Sequence, residues 1–315
     1  MNVGQTFIQI SVDLQTFQVN MQSNRLSFLL ILLIIGMSSC DIINPEEQVP
    51  SYVRVDDISL DIPVSDQSFY GTDSENITDV WLYVDNQLIG AFELPAIVPV
   101  LYEGTQNIKV FAGIKVNGIS NTRTVYRFYD FYETNTELIP GAVHSISPVV
   151  RYVSDPLAID QERFEDIGFL FTRSAGSDTL VLRIANPDPT ISYLEENVGV
   201  VYMDEDRPHF KMESDLDLNI AFKDPVFVEF DYKCNNEFIF GLKSIQPSAA
   251  EVGLIGIFPK LDEDGDPIWN KMYIDISNAV DLLANGNEME VFFEGFLSGE
   301  TGFVMIDNVK IIRPG

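Results

Sequence analysis

Ile108-Lys109-Val110-Phe111-Ala112-Gly113-Ile114-Lys115-Val116, followed by Asn117-Gly118, is the stretch on which the reading of this chain turns. Ile108, Val110, Ala112, Ile114 and Val116 recur at a period of two, which puts them on one face of an extended strand. Asn-Gly tolerates positive φ at both centres of a tight turn, so Ile119 to Tyr129 is expected to run back. Upstream, Val80-Trp81-Leu82-Tyr83-Val84 is β-branched and aromatic, Asp85-Asn86-Gln87 interrupts it, and Leu88 to Leu94 resumes. That pattern predicts a second hairpin. No segment between 51 and 150 has a helical period, so residues 51–153 are expected to form a small antiparallel sandwich.

A boundary is expected near Ser154-Asp155-Pro156, after the extended Val149 to Val153. Residues 156–315 are again strand-rich, with strands expected at Thr179–Ala185, Val198–Met203, Val226–Tyr232, Glu237–Lys243, Val252–Phe258, Ile268–Ile276, Glu288–Leu297 and Gly302–Ile312. In Val226–Tyr232 the apolar Val226, Val228, Phe230 and Tyr232 share one face, and Glu229 and Asp231 take the other. One short helix is expected, with Ser277 as N-cap, Ala279 to Ala284 within it and Gly286 as the stop. About eight strands with long loops predict a jelly roll of two sheets over one core. The fold class is all-β.

The N-terminal segment has another character. Arg25 supplies a positive charge, Phe28 to Met37 is an unbroken apolar run, and Met37-Ser38-Ser39 precedes Cys40. This is the layout of a secretory signal peptide, and the run is about half of the roughly 20 residues that a membrane span needs. The cysteine after small residues resembles the lipobox of bacterial lipoproteins, in which the thiol is acylated and becomes the mature N-terminus. Met1 to Asn20 holds Asp13 and no Lys or Arg, so Met21 is the better start. Residues 1–39 are read as signal and 40–50 as a lipidated tether.

Asp13 and Arg25 cancel, so the net charge of −29 belongs to the mature part. An acidic surface repels nucleic acid, and no DNA or RNA partner is expected. With Cys40 lipidated, Cys234 has no disulfide partner and reads as a small core filler or a quiet loop thiol.

The first half resembles immunoglobulin-like and carboxypeptidase-regulatory-like domains. In the second, Phe164-Glu165-Asp166, Asn186-Pro187, Asn197-Val198, the run Trp269 to Ser277, and Val304-Met305-Ile306-Asp307-Asn308-Val309-Lys310-Ile311 follow one another. Their order resembles the jelly-roll carbohydrate-binding modules and galactose-binding-like domains of secreted polysaccharide-active proteins. The layout of anchor, spacer and β-domain is similar to accessory lipoproteins of surface glycan-uptake systems. That resemblance implies aromatic platforms for sugar rings. The candidates are Trp269, Tyr193, Tyr202 and Phe210, although the strand-like run around Trp269 also suits core packing. The resemblance further implies a structural calcium ion held by Glu165 and Asp307, with Asp166 as a third donor; the competing reading leaves Asp307 in solvent beside Lys310.

Catalytic signatures are absent from the sequence. There is no Gly-x-Ser-x-Gly elbow, His-Glu-x-x-His helix or Gly-rich phosphate loop, and His144 and His209 fall in different halves. With 48 acids in the chain, carboxylate pairs are uninformative about glycosidase chemistry. Asp262 to Pro267 places its glycine too early for an EF-hand and reads as an acidic turn, and Asp204 to Arg207 reads as a solvated loop. Two functions follow: a cell-surface or outer-membrane lipoprotein that binds a polysaccharide non-catalytically, or an envelope protein-interaction lipoprotein that binds no sugar. The anchor makes a direct prediction. Cys40→Ala should release the protein from membranes, and mass spectrometry of the wild type should find an acylated N-terminus at Cys40; retention of the variant would contradict lipidation.

Overall fold

The computed structural model describes residues 47–214, 224–245, 250–284 and 289–315. The segment read as a signal peptide, Cys40, Gly286 and Glu288 lie outside the described residues. The first half contains β1 (Ser51–Val55), β2 (Ser59–Leu60), the one-turn α1 (Gln67–Tyr70), β3 (Asp79–Val84), β4 (Gln87–Glu93), β5 (Ala96–Val100), β6 (Gly104–Lys115), β7 (Arg123–Val125), β8 (Phe131–Leu138), β9 (Val143–Ile146) and β10 (Val149–Val150). Sheet β4-β3-β6-β7, with β8 also on β6, faces β5-β1-β9 and the small β10-β2 pair. Val53 and Val55, Val80 to Val84, Val98 and Val100, and Ile108 to Ile114 interdigitate between them. Asp85 and Asn86 both adopt positive φ, 49° and 64°, and make the turn between β3 and β4. The sandwich is not wholly antiparallel: β1 pairs parallel with β9, and β2 with β10. These pairings join the start of the half to its end, where no hairpin constrains strand direction.

The second half contains β11 (Leu157–Glu162), β12 (Phe171–Arg173), β13 (Leu182–Ala185), β14 (Asn197–Met203), β15 (His209–Ser214), β16 (Phe227–Cys234), β17 (Phe238–Ser244), β18 (Ala250–Ile257), β19 (Asn270–Asp275), α2 (Ser277–Ala284), β20 (Met289–Phe296) and β21 (Gly302–Pro314). One sheet runs β13-β14-β21-β16-β19 with β11 on β21, and the other runs β12-β15-β20-β17-β18. Their inner faces bury Phe230, Phe238, Phe240 and Phe293 with Val228, Ile274, Ile306 and Ile311. The fold is all-β. Strands β11, β12 and β15 were not expected from the sequence, and Ser277 does not cap α2. Its hydroxyl accepts the Val226 N–H at 3.0 Å and donates to Asp275.

The expected boundary near residue 155 does not separate two independent bodies. Pro50–Gly315 is one compact unit, and Phe227, Tyr273 and Ile312 of the second half belong to the core of the first. The Asn117-Gly118 turn is part of this join. Both residues have positive φ; the Ile119 N–H closes this turn on the Val116 carbonyl at 3.1 Å and the Thr122 N–H closes a second on the Ile119 carbonyl at 3.1 Å, and neither turn uses the Asn117 N–H. The Asn117 N–H instead donates to the Tyr273 carbonyl at 2.8 Å, and its Oδ1 accepts the Asp275 N–H at 3.2 Å. The tip of the hairpin is thus pinned along the edge strand β19.

Beneath the join lies a layer of buried charge. Glu229, Asp231, Lys271 and Lys310 leave the second-half core and point at the first half, all at most 4% exposed. Tyr126 donates to Glu229 at 2.5 Å, Tyr152 donates to it at 3.2 Å, and Lys271 pairs with it at 3.3 Å. Ser74 donates to Asp231 at 2.6 Å, and Asn308 donates to it at 2.8 Å while accepting from Thr72 at 3.0 Å. Lys310 donates to the Thr72 carbonyl at 3.1 Å and to Tyr152 at 3.2 Å. Gly71 sits against it at φ 76°, where a β-carbon would come within 2.8 Å of Lys310 Cε.

The two lysines differ in their surroundings. Burial pulls Lys271 down, but Asp231, Glu229 and Glu75 together outweigh it and hold the ammonium above its usual range. Burial, reinforced by the charge of Lys271 and less so by Arg163, outweighs Glu229 and Asp231 at Lys310 and brings it from 10.5 to about 7. Between pH about 7 and 10.5 the unfolded chain therefore holds a proton that the folded protein lacks, so this group adds stability as pH rises across that window. Relative to wild type, Lys310→Met should be more stable at pH 6 than at pH 10 in urea unfolding. A difference that does not change with pH would contradict this assignment.

Candidate functional site

Strict alternation in β20 sends Val291 and Phe293 into the core and Phe292, Glu294 and Phe296 outward. On this outer face Lys211 reaches Glu251 at 2.5 Å, while Lys243 bridges Glu213 at 3.0 Å and Glu290 at 3.1 Å. The Lys211 ammonium lies 4.4 Å from the centre of the Phe292 ring. That ring occupies the space over Gly241, where a β-carbon would lie 2.2 Å from Phe292 Cζ. One end of the sheet is thus a closed lattice of ion pairs.

The other end is open and apolar. Phe258 and Phe296 are 63% and 59% exposed and flank a recess of about 250 Å³ floored by Ile239, Gly256 and Gly295. Glu237 and Glu294 form its polar rim. The His209 ring stacks on Phe296 at 4.4 Å and 15°, with Nε2 2.9 Å from Glu294 Oε1 and Nδ1 3.1 Å from the Gly176 carbonyl. Phe296 is therefore held from behind, while its free face looks into the recess. A second cavity of about 390 Å³ opens at the join of the two halves and shares Phe258 and Gly256 with this recess.

The aromatic residues expected to act as platforms are dispersed. Phe210 is 1% exposed, and its ring fills the space over Gly295, so it offers no face to a ligand. Trp269 is 8% exposed, packs with Leu194 and Val198, and donates Nε1–H to Asp188 at 2.8 Å. Tyr193 packs against the same small cluster, and burial leads the causes that push its phenol up to about 12. Tyr202 is 42% exposed on β14, in the opposite sheet from the recess. Phe258 and Phe296, which form the recess, were not singled out from sequence. The signal was present in β20, where Phe292 and Phe293 are adjacent and parity sends Phe296 outward.

The carboxylates expected to hold calcium do not form one oxygen shell. Both oxygens of Glu165 accept from Asn197, at 2.7 and 2.9 Å. Asp166 is exposed and shares with Glu165 a cavity of about 400 Å³ that Asp307 does not line. Among the described residues, no three acidic, His or Cys side chains gather as a metal set. Asp307 is 1% exposed rather than solvated beside Lys310. Its Oδ1 accepts the Asn308 N–H at 2.8 Å and its Oδ2 has no hydrogen-bond partner. Burial, helped by the charges of Asp231, Glu195 and Glu165, outweighs the Asn308 bond and raises this carboxyl to about 9.

The remaining motifs are structural. Asp262 Oδ1 accepts the N–H groups of Asp264 and Asp266, which makes the 261–267 segment an acidic turn. Asp204 and Arg207 form a bonded loop. Cys234 is fully buried, and burial pushes its thiol up to about 12.

No protein-family model matches the chain, and no curated protein matches it. Among solved structures the chain is similar to a xylan-binding domain from Paenibacillus barcinonensis, at 13% identity over 51% of this chain and 97% of that one, with a TM-score of 0.33. It is also similar to a family 11 carbohydrate-binding module from Clostridium thermocellum, at 15% identity over 50% and 96%, TM-score 0.31. A third is the K1 cleaved adhesin domain of Lys-gingipain from Porphyromonas gingivalis, at 13% identity over 49% and 97%, TM-score 0.32. Likeness at this level assigns neither ligand nor activity to the chain, and the fold rests on its own strand order.

Proposed function

We propose that this protein is an exported, lipid-anchored surface lipoprotein that binds a polysaccharide through its second half without cleaving it. The observation that carries the reading is the recess between Phe258 and Phe296. A pyranose has an apolar C–H face and a rim of hydroxyls. Phenyl faces that are already exposed can cover the first, gaining from burial of apolar area and from ring contact. Glu237 and Glu294 can accept hydrogen bonds from the second, and such bonds to a charged acceptor are stronger than neutral ones. Affinity per site would be modest, and attachment through Cys40 would offset this by concentrating sites at the membrane surface.

The structural calcium ion expected at Glu165, Asp307 and Asp166 is carried into this proposal with the unpartnered Asp307 Oδ2 as its supporting feature; binding would have to draw the other two carboxylates to it, since the three do not gather as a metal set among the described residues. A second reading, docking of another envelope protein, is favoured by the exposed apolar Leu261 and Ile268, which continue the character of Phe258 along the chain.

Two measurements on the full mature chain test these readings. Thermal melting against a polysaccharide panel should show a midpoint rise with one glycan. In that case Phe258→Ala and Phe296→Ala should each weaken binding by roughly fivefold or more while leaving the unliganded midpoint nearly unchanged, since both side chains are mostly exposed. No shift with any glycan would favour protein docking. Separately, millimolar calcium should raise the midpoint of the wild type but not of Asp307→Asn; an unresponsive wild type would remove calcium from the account.

A further inference from the structure

The cavity at the join of the two halves has a charge opposite to that of the protein. Asp and Glu number 48 against 19 Lys and Arg in the whole chain. Yet the walls of this cavity contain Lys115, Lys260 and Lys271 and, among the described residues, no Asp or Glu. Lys271 is buried and held by Glu229, and Lys115 is paired with Glu93 at 3.2 Å. Lys260 is exposed and makes no ion pair among the described residues. The neutral polar lining includes Asn76, Asn117 and Asn270. These amides are fixed in place: Asn76 donates to the Lys271 carbonyl at 3.0 Å, Asn117 accepts from Asp275, and Asn270 donates to Tyr232 at 3.2 Å. Phe258 is the common wall between this polar, cationic cavity and the apolar recess.

We infer that the cavity is a second subsite for an acidic sugar unit, one bearing a carboxylate or a sulfate, on a glycan whose neutral part occupies the recess. The inference rests on the glycan-binding reading above and extends it in two ways. It makes the first half part of the binding surface rather than a spacer, through Asn76, Lys115 and Asn117. It also specifies the ligand as sparsely charged. A densely anionic polymer would be repelled by a protein of net charge −29 and by the acidic turn Asp262 to Asp266 that follows Lys260, whereas a single acidic unit paired with Lys260 meets only that nearby turn, the more distant charges being screened beyond a Debye length of about 8–10 Å.

The test uses the full mature chain and three probes that differ mainly in one group: methyl glucuronide, glucose 6-sulfate and methyl glucoside, titrated by ligand-observed NMR. One of the two anionic sugars should bind at least roughly fivefold tighter than the neutral one, and which of them does so identifies carboxylate or sulfate. Lys260→Gln should remove the preference, and Lys260→Arg should keep it. Lys260 is exposed, so neither variant should perturb folding. Equal binding of all three probes, or a preference that survives Lys260→Gln, overturns the acidic subsite. If polysaccharide binding still depends on Phe296 in that case, the glycan-binding reading stands; if neither the probes nor any polysaccharide binds, both fall.

Discussion

Glu229 carries the constraint on which the rest of this structure depends. It is a fully buried carboxylate at the centre of β16, and it is met from above by two tyrosines of the first half and from the side by Lys271. Removing such a group from water is costly, and the cost is offset only when every neighbour is in place. Most of those neighbours are supplied from the far side of the join. The second half on its own would expose a sheet face bearing Glu229, Asp231, Lys271 and Lys310. The first half would expose Tyr126, Tyr129 and Tyr152. A layer of this kind adds less stability than apolar packing of the same volume, but it tolerates few alternative alignments.

The alignment determines the geometry of the candidate site. Asn117 is held against β19 by two backbone-directed bonds, and Asn76 reaches the same strand through Tyr273 and Lys271. These contacts bring first-half amides alongside Phe258. The outer sheet complements this arrangement. Its charged end is taken up by ion pairs of Lys211 and Lys243 with Glu251, Glu213 and Glu290, which leaves the Phe258–Phe296 end as an apolar recess on that face. Gly256 keeps its floor low beside Phe258, and Gly295 contributes only backbone, the space over it being filled from the core side by Phe210.

Much of the local structure was legible from the sequence, and most of what was missed is long-range. The alternation in Val226–Tyr232 correctly separates an apolar face from a face bearing Glu229 and Asp231. What it cannot convey is that the polar face is covered, because the covering tyrosines lie about a hundred residues earlier. Asn117-Gly118 is legible as a positive-φ turn, but its docking on Tyr273 depends on a strand from the other half. For the site, residue type was a poor guide. Trp269 is a stacking candidate whose strand-like run makes core packing the better reading, and it packs with Leu194 and bonds Asp188, while Phe210, an equal candidate, is buried. Phe258 and Phe296 look like ordinary core residues until strand parity and sheet edges are known. Asp307 stands out in the sequence only as a calcium ligand implied by resemblance; that it is buried with an unpartnered Oδ2, rather than solvated beside Lys310, depends on the first half covering this face and was not legible.

The central claim is that the two sandwiches form one unit, and the chain contains its own reporters, since its two tryptophans lie one in each half, Trp81 and Trp269. Equilibrium unfolding in urea of Trp81→Phe and Trp269→Phe, each followed by the fluorescence of the remaining tryptophan, tests the claim most directly. The buried Glu229 layer predicts that both halves lose structure in one cooperative transition, with both midpoints converting to the same free energy once corrected for the substitutions themselves. Two separate transitions, with the reporter of one half unfolding while the other stays native, would contradict it.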